Sequence, residues 1–160
     1  MGKTIRGSGK TGILVTVGFK ELLERIHEAG GDAEAATWKA AKKGASEMYK
    51  ELKSEAEASG VPSDLTAWPK LSFQAEKTDS GNRYACKVGW KIGAYDPKNP
   101  SDEHKVIFFN YGTPKRYSRD SSYRGYMDAA GFIGRAKKKA RKNVKKAQEE
   151  ALQEILKGLE

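Results

Sequence analysis

Cysteine is almost missing from this chain. A single one, Cys86, in 160 residues excludes a disulfide framework and any Cys-rich zinc site, and it fits a protein made in a reducing compartment. Histidine is nearly as scarce. His27 and His104 stand far apart, neither in an HxxxH nor an HxE context, so no metal-ligand set is legible. No apolar run approaches the roughly 18 to 20 residues of a membrane span, and no signal-peptide core opens the sequence; we expect a soluble intracellular protein with no membrane partner. Myristoylation of Gly2 is not expected, because its pattern needs Ser or Thr where Arg6 stands. Length excludes a second large domain. A chain this size forms one domain that buries roughly two thirds of its unfolded surface.

Positive charge is what the sequence has in excess: 30 Lys and Arg against 21 Asp and Glu, a formal net of +9. A spread excess only aids solubility, whereas a concentrated one makes a field that a polyanion can feel. Residues 21 to 114 hold 13 basic and 15 acidic side chains and are close to neutral. Residues 132 to 148 hold 8 cations and no acid. The basicity therefore belongs to the N-terminal 20 residues, to a stretch after residue 114, and above all to Arg135–Lys146.

Residues 1–11 are mostly Gly, Ser, Thr and Lys, and we expect a flexible basic arm there. Residues 12–160 are expected to form a single domain. Ile13–Val17 reads as a short strand, Phe19, Leu22, Leu23 and Ile26 as a helix stopped by Gly30-Gly31, and Asp32 as the cap of a longer helix. The stripe of that second helix runs Trp38, Ala41, Ala45, Met48, Leu52, Ala56, and Ser59-Gly60 before Pro62 ends it. The period then changes to two. Leu71, Phe73 and Ala75 alternate with polar residues, as do Tyr84, Cys86, Val88, Trp90 and Ile92, and Asp79-Ser80-Gly81-Asn82 between them predicts a hairpin. Residues 105–111 are apolar on both faces and read as strand or short helix. Residues 113–131 form a long loop without periodicity. A helix over 132–158 follows, its seam Ile133, Ala136, Ala140, Val144, Ala147, Ala151, Ile155. The expected class is α+β: a small antiparallel β-sheet packed against an N-terminal long helix and a C-terminal basic helix.

Signals for catalysis are weak. Gly7-Ser8-Gly9-Lys10-Thr11 imitates the end of a phosphate-binding loop, but the first Gly of that pattern is Thr4 here, and a strand follows where a helix N-terminus is needed. No Ser sits in a nucleophile elbow, and Glu149 and Glu150 read as a solvated helix face. We expect no enzyme and no cofactor, and Cys86 reads as a core residue.

Two stretches point to partners instead. In the basic run, Arg135, Lys137, Lys138, Lys139, Arg141, Lys142, Lys145 and Lys146 cover most of about three helical turns. That is either a solvated face or a contact with a polyanion or acidic partner; without interleaved aromatics, backbone contact is favoured over base stacking. In the second, Tyr111, Tyr117, Tyr123 and Tyr126 alternate with Lys115, Arg116, Arg119 and Arg124, types enriched where proteins bury surface against each other.

The order of parts then resembles a known family. A strand into Gly18-Phe19, an Ala-rich helix, a hairpin ending Val88-Gly89-Trp90, the run Phe108-Phe109-Asn110-Tyr111-Gly112-Thr113-Pro114-Lys115-Arg116, and Phe132-Ile133-Gly134-Arg135-Ala136 opening the last helix are similar to the tail-component, or tail-completion, family of long-tailed bacteriophages. Asn110 stands where that family usually has an acid, Arg135 near its usual Pro, and its Pro-x-x-Thr-Gly survives only as Pro62-Ser63-Asp64-Leu65. The resemblance implies a structural virion protein of the head–tail joining region, or neck, with no catalytic residue. It further implies a sixfold ring, a hexamer, next to tail tube, tail terminator or head–tail connector proteins, with contact to phage DNA possible. The implied location is the virion, after assembly in the host cytoplasm.

Overall fold

The computed structural model describes residues 5–7, 12–61, 70–78, 81–89 and 102–160, and these are mostly helical. Strands β1 (Ile5–Gly7) and β2 (Gly12–Thr16) are followed by helices α1 (Lys20–Glu28) and α2 (Ala33–Ala58). Strands β3 (Lys70–Thr78) and β4 (Gly81–Gly89) come next, then helices α3 (Asp102–Tyr111) and α4 (Phe132–Lys157). The strands pair antiparallel in the order β1-β2-β4-β3. Register joins Val15 to Cys86, and Leu71 and Ile13 to Val88. The expected hairpin is thus present, with Thr78 opposite Gly81. Its turn residues 79 and 80, with Trp90, Ile92 and Pro62–Leu65, lie outside the described residues.

Two expectations meet a different outcome, and one open reading is settled. Within the stretch read as a flexible arm, residues 5–7 pair with β2, so their backbone groups find ladder partners that composition alone does not announce. The segment open between strand and helix is a helix, α3. Its apolar residues lie on both faces because it is partly buried, and Gly112, at φ +75°, ends it in the left-handed conformation favoured after a helix. The second difference lies along α4. The seam keeps Ile133, Ala136, Ala140, Val144 and Ala151, but Gln148, Leu152 and Leu156 are buried where Ala147 and Ile155 are only half-buried. A straight helix turns 3.6 residues per repeat, so its buried stripe drifts across positions over seven turns.

The long helices follow local chemistry. Asp32 caps α2 as read, its Oδ1 accepting from the N–H groups of Glu34 and Ala35 at 3.0 and 3.1 Å. Helices α2 and α4 run antiparallel and form the broadest helix contact. Both helices bury small side chains, Ala40, Ala41, Ala45 and Ala56 on one and Ala136 and Ala140 on the other. Gly44 allows the tightest point: a Cβ there would lie 2.5 Å from Gln148 Nε2, which is fully buried. Val15, Cys86 and Val88 join Met48, Leu52, Val106, Phe132 and Val144 in one core cluster, while Phe19 and Ile26 hold α1 to Ala36, Ala40, Leu152 and Leu156 in a second.

Candidate functional site

The site begins at the junction of α3 and α4. Asn110, 4 % exposed, accepts from the Ile133 N–H at Oδ1 (2.9 Å), and its carbonyl accepts from Gly131 N–H (2.9 Å). Gly131, at the N-cap of α4, has no side chain to supply an acceptor, so Asn110 caps that helix from 23 residues away. A carboxylate oxygen would accept the same bond. Gly112 and Thr113 form the adjoining joint. A Cβ on Gly112 would meet Met127 O at 2.6 Å and Ala129 N at 2.8 Å, and Thr113 exchanges two bonds with Met127: its N–H donates to Met127 O (2.8 Å), and its Oγ1 accepts from Met127 N–H (2.9 Å).

Residues 113–131 contain no strand, yet they fold back on themselves. Thr113 pairs with Met127 and Tyr117 with Tyr123 in isolated antiparallel bridges, with Arg116 N–H donating to Gly125 O at 3.0 Å and Arg124 N–H to Arg116 O at 2.7 Å. Asp120 ties the tip, accepting from Ser118 Oγ, Ser122 N–H and Ser122 Oγ; these bonds hold its carboxyl below the usual range. The polar alternation of this loop hid its pairing from a search for apolar periodicity. Tyr111, Tyr117, Tyr123 and Tyr126 are all between 53 and 62 % exposed, and Lys115, Arg116, Arg119 and Arg124 are exposed too. The Tyr117 and Tyr123 rings lie 5.6 Å apart, centroid to centroid. The residues read as part of an assembly loop therefore lie on one excursion anchored at Gly112 and Thr113, except Tyr111, which ends α3 at its base.

The basic run divides in two. Glu55, on the buried side of α2, receives Arg135 Nε at 2.9 Å and the Lys139 ammonium, while Arg135 also donates to Ser59 Oγ (2.6 Å) and Ala130 O. The two bonded cations draw the Glu55 carboxyl below its ordinary value, and Glu55 raises Lys139. Arg135 and Lys139 are therefore internal clamps. Lys146 lies 3.7 Å from Glu150. Lys138, Arg141, Lys142 and Lys145 are spaced i, i+3, i+4, i+7 and share a face; no acidic partner is found for them or for Lys137 among the described residues. Like charges at these spacings oppose helix formation, and the first turn of α4 holds no acid.

Sequence reading missed Glu55. The available signal was an acid at i+3 from Leu52 and beside Ala56, on an apolar stripe where an unpaired carboxylate is costly. Elsewhere, Cys86 is buried as read, and burial pushes its thiol up to about 12. Among the described residues no group of three His, Cys, Asp or Glu is placed to hold a metal, and no helix is long and apolar enough to cross a membrane.

The chain matches no family model, and no curated protein or solved structure matches it significantly. What the arrangement offers chemically is adhesion: an anchored Tyr/Arg excursion and a cationic helix face.

Proposed function

We propose that this protein is a structural virion component of a tailed bacteriophage, completing the tail and joining it to the head as a hexameric ring. In this reading the fold class is α+β, with the small antiparallel sheet packed against α2 and the basic helix α4. Its neighbours are other copies of itself and tail tube, tail terminator or connector proteins, in the virion neck after assembly in the host cytoplasm. The observation that carries the reading is the 113–131 excursion, which exposes three of the four tyrosines, with Tyr111 at its base, and four cations on a backbone tied at Gly112–Thr113. Exposed Tyr and Arg on an ordered frame suit burial against a partner, because little conformational entropy is lost on docking. The joint is also made by the residues that most closely resemble the tail-completion family.

The test is particle composition and morphology. The protein is expected in purified virions, and Tyr117→Ala with Tyr123→Ala is expected to leave heads and tails unjoined in electron micrographs while the variant chain still folds by circular dichroism. Absence from particles overturns the reading.

A second reading, a nucleic-acid-binding module, is favoured by the unpaired face Lys138, Arg141, Lys142 and Lys145. Four phosphate contacts predict that log K for duplex DNA falls with log salt at a slope of about −3 to −4. Absence of duplex binding at low salt removes it.

A further inference from the structure

We propose that the cationic face of α4 docks onto the acidic end of a second copy of this chain, so that protomers join head to tail. The inference deepens the assembly reading and rests on it for the closing of such contacts into a ring.

The argument starts from two unlike ends. Antiparallel packing is fixed by Glu55 with Arg135, Gly44 with Gln148 and Lys39 with Glu154, which sets the first half of α4 beside the end of α2, and the last turns of α4 beside its start. Helix α1 lies at that second end, with Ile26 in a cluster with Leu152 and Leu156 and Arg25 Nη2 3.8 Å from Glu160 Oε1. Residues 20–34 there contain five acids, Glu21, Glu24, Glu28, Asp32 and Glu34, against Lys20 and Arg25. Glu21, Glu24 and Glu28 are spaced i, i+3, i+7 on one exposed stripe of α1, turned from the buried Ile26; Glu24 lies 3.5 Å from Lys20, so Glu21 and Glu28 carry the stripe's uncompensated charge.

These charges cannot neutralise each other within one protomer. The centre of the cationic face, near Arg141, and Leu156, where α1 packs, are 15 residues apart on one helix, about 22 Å, against a Debye length of about 8 Å at physiological ionic strength. The cationic cluster is opposed by its own like-charge neighbours, so helix stability does not account for it. A second copy set end to end brings the acidic stripe against the basic face. Because the two patches differ, the contact is heterologous, the kind that closes a ring when the rotation permits. Duplex DNA is the less favoured occupant, since Arg135 and Lys139 are committed to Glu55 and Lys146 faces Glu150.

Sedimentation of the full chain tests this. Wild type is expected to self-associate at about 50 mM salt and dissociate at about 500 mM, where screening shortens the field. Reversing the basic face (Lys138→Glu, Arg141→Glu, Lys142→Glu) or the acidic end (Glu21→Lys and Glu28→Lys on α1, Glu34→Lys at the start of α2) is expected to weaken association at least about tenfold. An equal mixture of the two variants should associate again, since each supplies the charge the other has lost. All six positions are exposed, and circular dichroism checks that the helices persist; should a reversal unfold the chain, neutral Gln replacements are measured instead. A monomeric wild type at low salt, reversed variants that associate as wild type does, or a mixture that stays monomeric overturns the proposal. So does a monomeric wild type whose basic face binds a short DNA duplex, which points to the nucleic-acid reading. Failure of the contact is separable from failure of the assembly reading. A protein found in virions whose reversed variants associate normally loses only the head-to-tail contact; one that associates head to tail but is absent from particles loses only the virion role.

Discussion

At the scale of single residues, Glu55 has the most consequence. It is 5 % exposed, and its two cations keep it ionised, so its carboxyl is depressed below the ordinary 4.5. A depressed acid stabilises the folded state fully above its unfolded value, and that contribution is lost as pH falls through the folded one. Glu55→Gln is expected to lower unfolding free energy by about 1 to 2 kcal/mol at neutral pH, less than for a wholly buried pair because Arg135 and Lys139 can rehydrate. Urea titrations should show the gap between wild type and variant shrinking below pH 4.5. A gap unchanged at low pH would mean that packing, not charge, sets Glu55's role. Cys86 gives a simpler expectation. Fully buried and with its thiol pushed up to about 12, it should react with a thiol reagent only slowly in the native protein and promptly in urea.

At the scale of elements, two contacts decide how helices meet. Asn110 supplies the acceptor that Gly131 lacks, so Asn110→Ala should cost about 1 to 2 kcal/mol, with Asn110→Asp recovering part of it through the α4 N-terminus. Gly112→Ala should cost more, through both its left-handed backbone and the Met127 carbonyl 2.6 Å from the new methyl. Hydrogen exchange at Met127 and Arg124 would reveal the excursion loosening; unchanged protection would contradict the joint. Gly44→Ala tests the α2–α4 seam. Its helix-propensity gain of roughly 1 kcal/mol is expected to be outweighed by overpacking against Gln148, and Gln148→Ala in the same chain should recover part of the loss in a double-mutant cycle.

At the scale of the whole molecule, charge and stability pull in opposite directions. Lys138, Arg141, Lys142 and Lys145 repel one another along α4 without an acidic partner among the described residues. Replacing all four by Gln should therefore raise stability at low salt by about 0.5 to 1 kcal/mol, and the gain should fade as salt is added. Equal or lower stability in the replaced chain would show that these cations support the fold. The same substitution should weaken whichever acidic surface or polyanion the face meets, which links a stability measurement to a binding one.

How much of this was legible in the sequence follows from the range of each cause. Helix limits near Asp32 and Gly30-Gly31, the β3–β4 hairpin and the burial of Cys86 could be read directly, because caps, turns and periods of 3.6 or 2 act over a few residues, whereas residues 105–111 stayed open between strand and helix because their apolar residues fit either period. The eight cations and four tyrosines were equally visible as a composition. Which cations remain available was not, since the Glu55–Arg135 bond joins residues 80 apart and only the antiparallel packing of α2 on α4 creates it. The Asn110 cap and the Gly44–Gln148 contact have the same origin. Sequence by itself determined most of the elements and all of the charges, but not β1 or the helical state of α3; tertiary structure decided those, and which charges are used inside the fold and which face outward, because that depends on contacts between distant segments.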